Sequence, residues 1–220
     1  VAVPFAARWG LPAWVAVALV QAALFLFVAY GMLVEPFRLK VTREHVTTPA
    51  LPNPGTPLRL VQVSDLHVER TTWRERALPG LIAGLEPDVI FLTGDFLNTT
   101  YYEDHRALTD LRALLAQLSA PGGIFAVWGT PEVDLPDFLR PTFAELGIVI
   151  LEDEAVEVNV RDQRLWLVGL RCTRDLEAGQ ARLRRLLEAA PAGLPSVLLH
   201  HTPAGAPRPA ALGVDLVLSG

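Results

Sequence analysis

Leu60-Val61-Gln62-Val63-Ser64-Asp65-Leu66-His67 is the stretch on which the reading of this chain turns. An apolar run stops abruptly at a carboxylate and an imidazole two residues apart. Leu60, Val61 and Val63 suit a buried strand, and strands of α/β proteins present ligands at their carboxyl ends. Alternation then puts Asp65 and His67 on one side of an extended chain as it leaves the sheet. A hard oxygen donor beside a neutral imidazole suits Mn, Fe or Zn better than Ca or Mg. By itself Asp-x-His is a weak motif, because any exposed loop carries it by chance. Its weight depends on the rest of the chain.

With 220 residues, 51% of them hydrophobic, the chain can build one sizeable core. A mean hydropathy of +0.32 is high for a soluble domain, and the excess lies near the N-terminus. The net charge of −5 and a pI near 5.5 argue against a nucleic-acid partner, which would call for a basic face. Cys172 is the single cysteine, so no intrachain disulfide framework exists. The chain starts with Val1 and stops at Leu218-Ser219-Gly220, directly after a strand-like run. That reads as a fragment, incomplete at its C-terminus.

Residues 11–34 carry no charge, and Gln21 is their only strongly polar side chain. At ~1.5 Å per residue they would span ~36 Å, enough to cross a bilayer core with some tilt. Trp14 and Tyr30 stand near the two ends, as interfacial aromatics do. A signal peptide would have a shorter apolar region followed by a small-residue cleavage site, and none follows. The expectation is a single-pass membrane helix within an N-terminal segment 1–36. Arg8 precedes it, whereas Arg38, Lys40 and Arg43 follow, so the positive-inside tendency leans towards a cytoplasmic catalytic domain.

Residues 37–57 read as a linker, rich in Pro and Thr from Glu44 onward, and a globular domain is expected over 58–220. Strands are expected at Leu58–Val63, Val89–Thr93, Ile124–Trp128, Ile148–Leu151, Val197–His200 and Val214–Leu218. Ala155–Val160 and Arg164–Val168 form a hairpin about Arg161-Asp162-Gln163. Helices are expected at Trp73–Leu85, Glu103–Leu118 and Leu135–Leu146, and from Leu176 to Ala190 after an Asp175 cap. This is an α/β chain of two packed sheets flanked by helices.

Two further strand ends carry candidate ligands. Thr93-Gly94-Asp95 ends the second strand, where glycine allows a tight turn and projects the carboxylate over the sheet edge. Leu198-Leu199-His200-His201-Thr202-Pro203 ends another in two imidazoles, which point to opposite sides of an extended chain, so one of them at most serves as a ligand. Three strand ends carrying Asp-x-His, Gly-Asp and His in order are far stronger than any one of them.

In these motifs the chain resembles the calcineurin-like metallophosphoesterases, particularly a membrane-anchored bacterial branch. The family pattern runs D-x-H, G-D, G-N-H-[ED], H and G-H-x-H. Its counterparts here are Ser64-Asp65-Leu66-His67, Thr93-Gly94-Asp95-Phe96, Gly129-Thr130-Pro131-Glu132 and His200-His201-Thr202-Pro203; Glu35-Pro36-Phe37 also resembles this branch. The resemblance implies a four-layer αββα sandwich behind a transmembrane helix. It implies two divalent metal ions (Mn, Fe or Zn), with Asp65 and His67 on the first, Asp95 bridging and His201 and Thr130 on the second. His201, which stands before an x-Pro step, matches the family's metal-binding histidine, and His200 takes a small-residue position. Asp95 and Glu132 are the residues placed in catalytic roles.

The implied activity is hydrolysis of a phosphomonoester, phosphodiester or pyrophosphate through a metal-bridging hydroxide, on a membrane-associated or lipid-linked substrate. Two departures qualify it. Thr130 offers one weak hydroxyl where the family has a ligand asparagine, and Pro131 has no donor where the family has histidine. The G-H-x-H motif would begin at Gly220 itself. The alternative is therefore a catalytically degenerate descendant with a regulatory or binding role. Of the smaller features, His105 and the Arg182-Arg184-Arg185 run read as solvated, Tyr101 and Tyr102 as covering the sheet edge, and Cys172 beside Arg171 and Arg174 as structural.

Overall fold

The structure is a computed structural model that describes residues 12–51, 57–98, 104–173, 175–203 and 210–220. The expectations placed on Arg8, Leu11, Tyr101, Tyr102, Glu103 and Arg174 lie outside the described residues. The chain divides into two units, Val1–Thr42 and Arg43–Gly220.

In the first unit, helix α1 covers Ala13–Leu33 and buries none of its side chains; Leu24, Phe25 and Phe27 are all exposed. A helix apolar on every side has no polar face to give to water, so its natural solvent is lipid. The apolar segment extends to Phe37 through a 3₁₀ turn, Glu35–Phe37, that begins beside Pro36. The Arg38 guanidinium follows and donates to the Tyr30 hydroxyl at 2.8 Å.

The second unit holds two four-stranded sheets. The first is parallel in the order β1 (Leu60–Val63), β2 (Val89–Leu92), β3 (Ile124–Ala126), β4 (Val149–Ile150). The second runs β5 (Glu154–Val160), β6 (Gln163–Gly169), β7 (Ser196–Leu199), β8 (Leu216–Leu218); β5 and β6 form an antiparallel hairpin and the other pairs are parallel. Helices α2 (Trp73–Ala83), α3 (His105–Leu115) and α4 (Pro136–Glu145) join strands of the first sheet, and α5 (Leu176–Glu188) joins β6 to β7.

The period of two along each strand sorts the apolar residues into layers. In β2, Val89 and Phe91 face the second sheet, while Ile90 and Leu92 face the core shared with Leu111, Leu115 and Phe143. In β6, Leu165 and Leu167 meet that inner layer, and Val168 turns outward to Leu183 of α5. The result is a four-layer αββα sandwich. Burial of both faces explains why β2, and β7 after Ser196, are continuous apolar runs.

Helices α2, α3 and α5 start where a side chain accepts otherwise orphaned N–H groups. Thr72 accepts from the Arg74 N–H while the Glu75 carboxylate accepts the Thr72 N–H at 2.7 Å, a capping box. Asp104 caps α3 and Asp175 caps α5. Most elements end one or more residues inside the expected bounds; Gln163, read as turn, opens β6. Arg182 is only partly solvated: it pairs with the Asp153 carboxylate at 3.3 Å, which Arg171 also meets. His105 is exposed, with its ring 5.7 Å from that of Phe138.

Candidate metal centre

The loops that follow β1 and β2 are stitched together along their backbones. Asp65 N–H donates to the Gly94 carbonyl (3.1 Å), His67 N–H to Asp95 (3.0 Å) and Val68 N–H to Phe96 (2.9 Å). Parallel pairing thus continues past the strand ends and sets the first two motifs side by side. Asp65, His67 and Asp95 have φ of 51°, 41° and 54°, in the left-handed region. Their approach therefore comes from this pairing, not from alternation along an extended chain as the sequence pattern suggested. One ligand atom from each of the three lies within 4.8 Å of the others.

Asp95 has a neighbour on each oxygen. Oδ2 is 3.6 Å from His67 Nε2, and Oδ1 is 3.4 Å from His201 Nε2. The Thr130 N–H donates to Oδ1 at 2.7 Å, and the Thr130 hydroxyl stands 3.4 Å from both Asp95 Oδ2 and His201 Nε2. Asp65 Oδ1 is 3.8 Å from His67 Nε2, and the Ser64 hydroxyl donates to its other oxygen.

His201 sits with Nδ1 2.7 Å from the Thr93 carbonyl. A carbonyl can only accept, so Nδ1 donates to it, and Nε2 is the ring nitrogen left facing Asp95 and Thr130. Metal-binding histidines are oriented in this way by the hydrogen bond at the other nitrogen. His200 turns to the opposite side and is buried, with no hydrogen-bond partner on Nδ1; burial holds its pKa below the ordinary value. Glu132 is exposed on the turn after Thr130 and stands outside the group of three ligand side chains.

Two glycines make room for this arrangement. A Cβ on Gly94 would come within 2.3 Å of Gly129 Cα, and one on Gly129 within 2.2 Å of Asp95 Oδ1. Beneath the loops Phe96, Trp128 and Phe143 form a buried aromatic cluster, with Phe96 and Phe143 edge-to-face at 4.8 Å. Gln62 donates to Thr93 Oγ1 (2.9 Å) and to the Ser219 carbonyl (2.6 Å), tying the end of β8 to the same edge.

Sequence reasoning missed Asp134. Its fully buried carboxylate accepts the N–H groups of Asp95 (2.8 Å), Phe96 (2.8 Å) and Gly129 (2.7 Å). Burial pushes its pKa up to about 6, against the lowering effect of those three hydrogen bonds. Its only local signal was an aspartate closing a Pro-containing turn.

The donor set fits a divalent transition metal: two carboxylates and two imidazoles converge, one imidazole turns its Nε2 towards Asp95, and a hydroxyl stands beside them.

No family model matches the chain. It is similar to "UDP-2,3-diacylglucosamine pyrophosphatase LpxG" of Chlamydia muridarum, 34% identical over 97 residues, which is 43% of this chain and 29% of that protein. LpxG of Chlamydia trachomatis is 35% identical over the same length. A "Transmembrane protein with metallophosphoesterase domain" of Bos taurus is 27% identical over 197 residues, covering 82% of this chain and 43% of that protein. The chain thus spans less than half the length of these curated relatives. One solved structure superposes with a TM-score of 0.54 at 13% identity, covering 75% of this chain and 84% of the other, which is a likeness of fold.

Proposed function

We propose, on the premise that this chain belongs to the membrane metallophosphoesterases, that it is a metal-dependent hydrolase of phosphate ester or anhydride bonds. The observation that carries the reading is the placement of Asp95, with His67 on one oxygen and His201 on the other. Asp65, His67 and Asp95 would hold one divalent ion, and Asp95, His201 and Thr130 a second, of Mn, Fe or Zn type. Such ions, when bound, stabilise charge on a phosphoryl group and make water more acidic.

The remaining work falls to the chain itself. The Thr130 N–H and the loop pairing orient the Asp95 carboxylate, and the Thr93 carbonyl anchors His201 through Nδ1. Glu132, exposed on the turn after Thr130, would be the carboxylate for proton transfer to or from solvent. Pro131 offers no donor to a leaving group, so turnover is slower by on the order of 10²–10³ than with a charge-stabilising donor there. Activated esters and pyrophosphates, whose leaving groups need no proton, are then the favoured substrates. A nucleotide-linked acylated sugar, the substrate class named for the LpxG relatives, is reachable for a chain carrying a membrane helix.

The test uses the full chain in detergent, with bound metal measured and hydrolysis of bis-p-nitrophenyl phosphate followed with added Mn²⁺. Metal binding with turnover that is lost in Asp95→Asn supports the enzyme. The Thr130-Pro131 pair favours a second reading, a degenerate site with a binding role. Metal binding without turnover, and recovery of turnover by Thr130→Asn with Pro131→His, establishes that reading instead.

A further inference from the structure

The three N–H groups held by Asp134 belong to the two loops that carry the candidate ligands. Asp95 and Phe96 follow β2, and Gly129 precedes Thr130 after β3. Asp134 Oδ2 takes the N–H of Asp95 and of Gly129, and Oδ1 takes that of Phe96. The Asp134 and Val133 N–H groups in turn donate to the Thr130 carbonyl at 2.9 and 2.8 Å, closing a tight turn that returns the carboxylate to the loops. Asp134 itself lies outside the group of ligand side chains.

A buried aspartate that satisfies loop N–H groups is ordinarily a matter of stability alone. The distribution of partners argues for more. Asp95 at φ 54° directs its side chain according to its own backbone, and Asp134 grips the N–H on both sides of its Cα. The same carboxylate sets Gly129, whose Cα lies against Gly94, and thereby Thr130, whose N–H meets Asp95 Oδ1. Three donors converging on two oxygens require a carboxylate, because an amide accepts through one oxygen and would turn its own NH₂ against an N–H.

We propose that Asp134 is a positioning residue that presets the Asp95 carboxylate between the two candidate metal positions. The inference rests on the metal centre proposed above. It predicts that metal affinity, and not only stability, depends on Asp134. Outer contacts that orient metal ligands typically cost 10–100-fold in affinity when removed.

Mn²⁺ binding to the full chain in detergent is measured for the wild type, Asp134→Asn and Asp88→Asn. Asp88 is the control: it is also buried, accepts the Arg59 N–H (2.8 Å) and pairs with Arg161 (2.7 Å), but it precedes β2, at the opposite end of the sheet. Asp134→Asn should bind at least tenfold more weakly, while Asp88→Asn lowers the melting temperature and keeps the wild-type affinity. A folded Asp134→Asn with wild-type affinity overturns the inference, as does an equal loss in Asp88→Asn. Should Asp134→Asn fail to fold, amide exchange in the metal-free wild type decides. Slow exchange at Asp95, Phe96 and Gly129 supports a preset loop, and rapid exchange there overturns it. A wild type that binds no Mn²⁺ removes the metal centre itself, an outcome distinct from the failure of Asp134 alone.

Discussion

Asp65, His67 and Asp95 are three of the six non-glycine residues at positive φ among the described residues. Each such conformation costs about 1–3 kcal/mol and persists only where neighbours impose it. Here the neighbours are the paired loop backbones and the Asp134 carboxylate. Gly129 shows how little slack remains, since an added Cβ would fall 2.2 Å from Asp95 Oδ1 and 3.0 Å from Asp134 Oδ2. Gly129→Ala should destabilise the fold by about 3 kcal/mol, through overpacking that moves Asp95. Chemical denaturation checks the stability, and loss of Mn²⁺ affinity in the folded fraction checks the displacement. The residue types at the centre were legible as three motifs at strand ends. The need for glycine at 129 was not, because it arises from a backbone far away in sequence. His200 and His201 are adjacent and chemically identical, and it is the Thr93 carbonyl that anchors His201 through Nδ1 and leaves Nε2 facing Asp95.

At the scale of elements, the capping box of α2 ties a titration to stability. Burial raises the Glu75 pKa, but hydrogen bonds from the Thr72 side chain and backbone and from Arg74 outweigh it, so the pKa lies below its ordinary value. A lowered carboxylate pKa means that the ionised form stabilises the fold above the unfolded pKa, about 4.3, and that this is lost as pH falls through the folded value. Glu75→Gln should cost about 1–2 kcal/mol at pH 7, and the gap to wild type should narrow as pH drops below about 4. Urea titrations of both proteins from pH 7 downward measure it. Helix α1 makes a different demand, because nothing in its own unit covers it. Leu24→Arg near its centre should oppose insertion by about 2.5–3.5 kcal/mol, read as a shift from the membrane to the soluble fraction. Both elements were visible beforehand, since capping residues and uninterrupted apolar runs are local. Their ends were less so, because strand limits depend on which partner strand stops first.

For the whole molecule, the two sheets meet through alternate residues of every central strand, and the candidate centre lies where loops from both reach one edge. Binding of metal to the folded state alone must stabilise it by linkage. At a hundredfold excess over Kd the gain is about 2.7 kcal/mol, worth about 5–10 °C in Tm for a domain of this size. Thermal unfolding with Mn²⁺ and then with EDTA should show the rise and its reversal; no shift at saturating metal sinks the linkage. Strand and helix order, the long apolar helix and the layered α/β architecture followed from local pattern, and Asp65, His67, Asp95 and His201 were candidates by motif resemblance. Period-two burial and charge-free runs are written residue by residue, so they need no fold to be seen. The pairing of loops 65–68 and 94–97, the anchoring of His201, the link from Gln62 to Ser219 and the grip of Asp134 emerged only in three dimensions. Each joins groups distant in the chain, Asp134 reaching Asp95 across 39 positions, and a backbone N–H that seeks an acceptor leaves no trace in the residue that bears it.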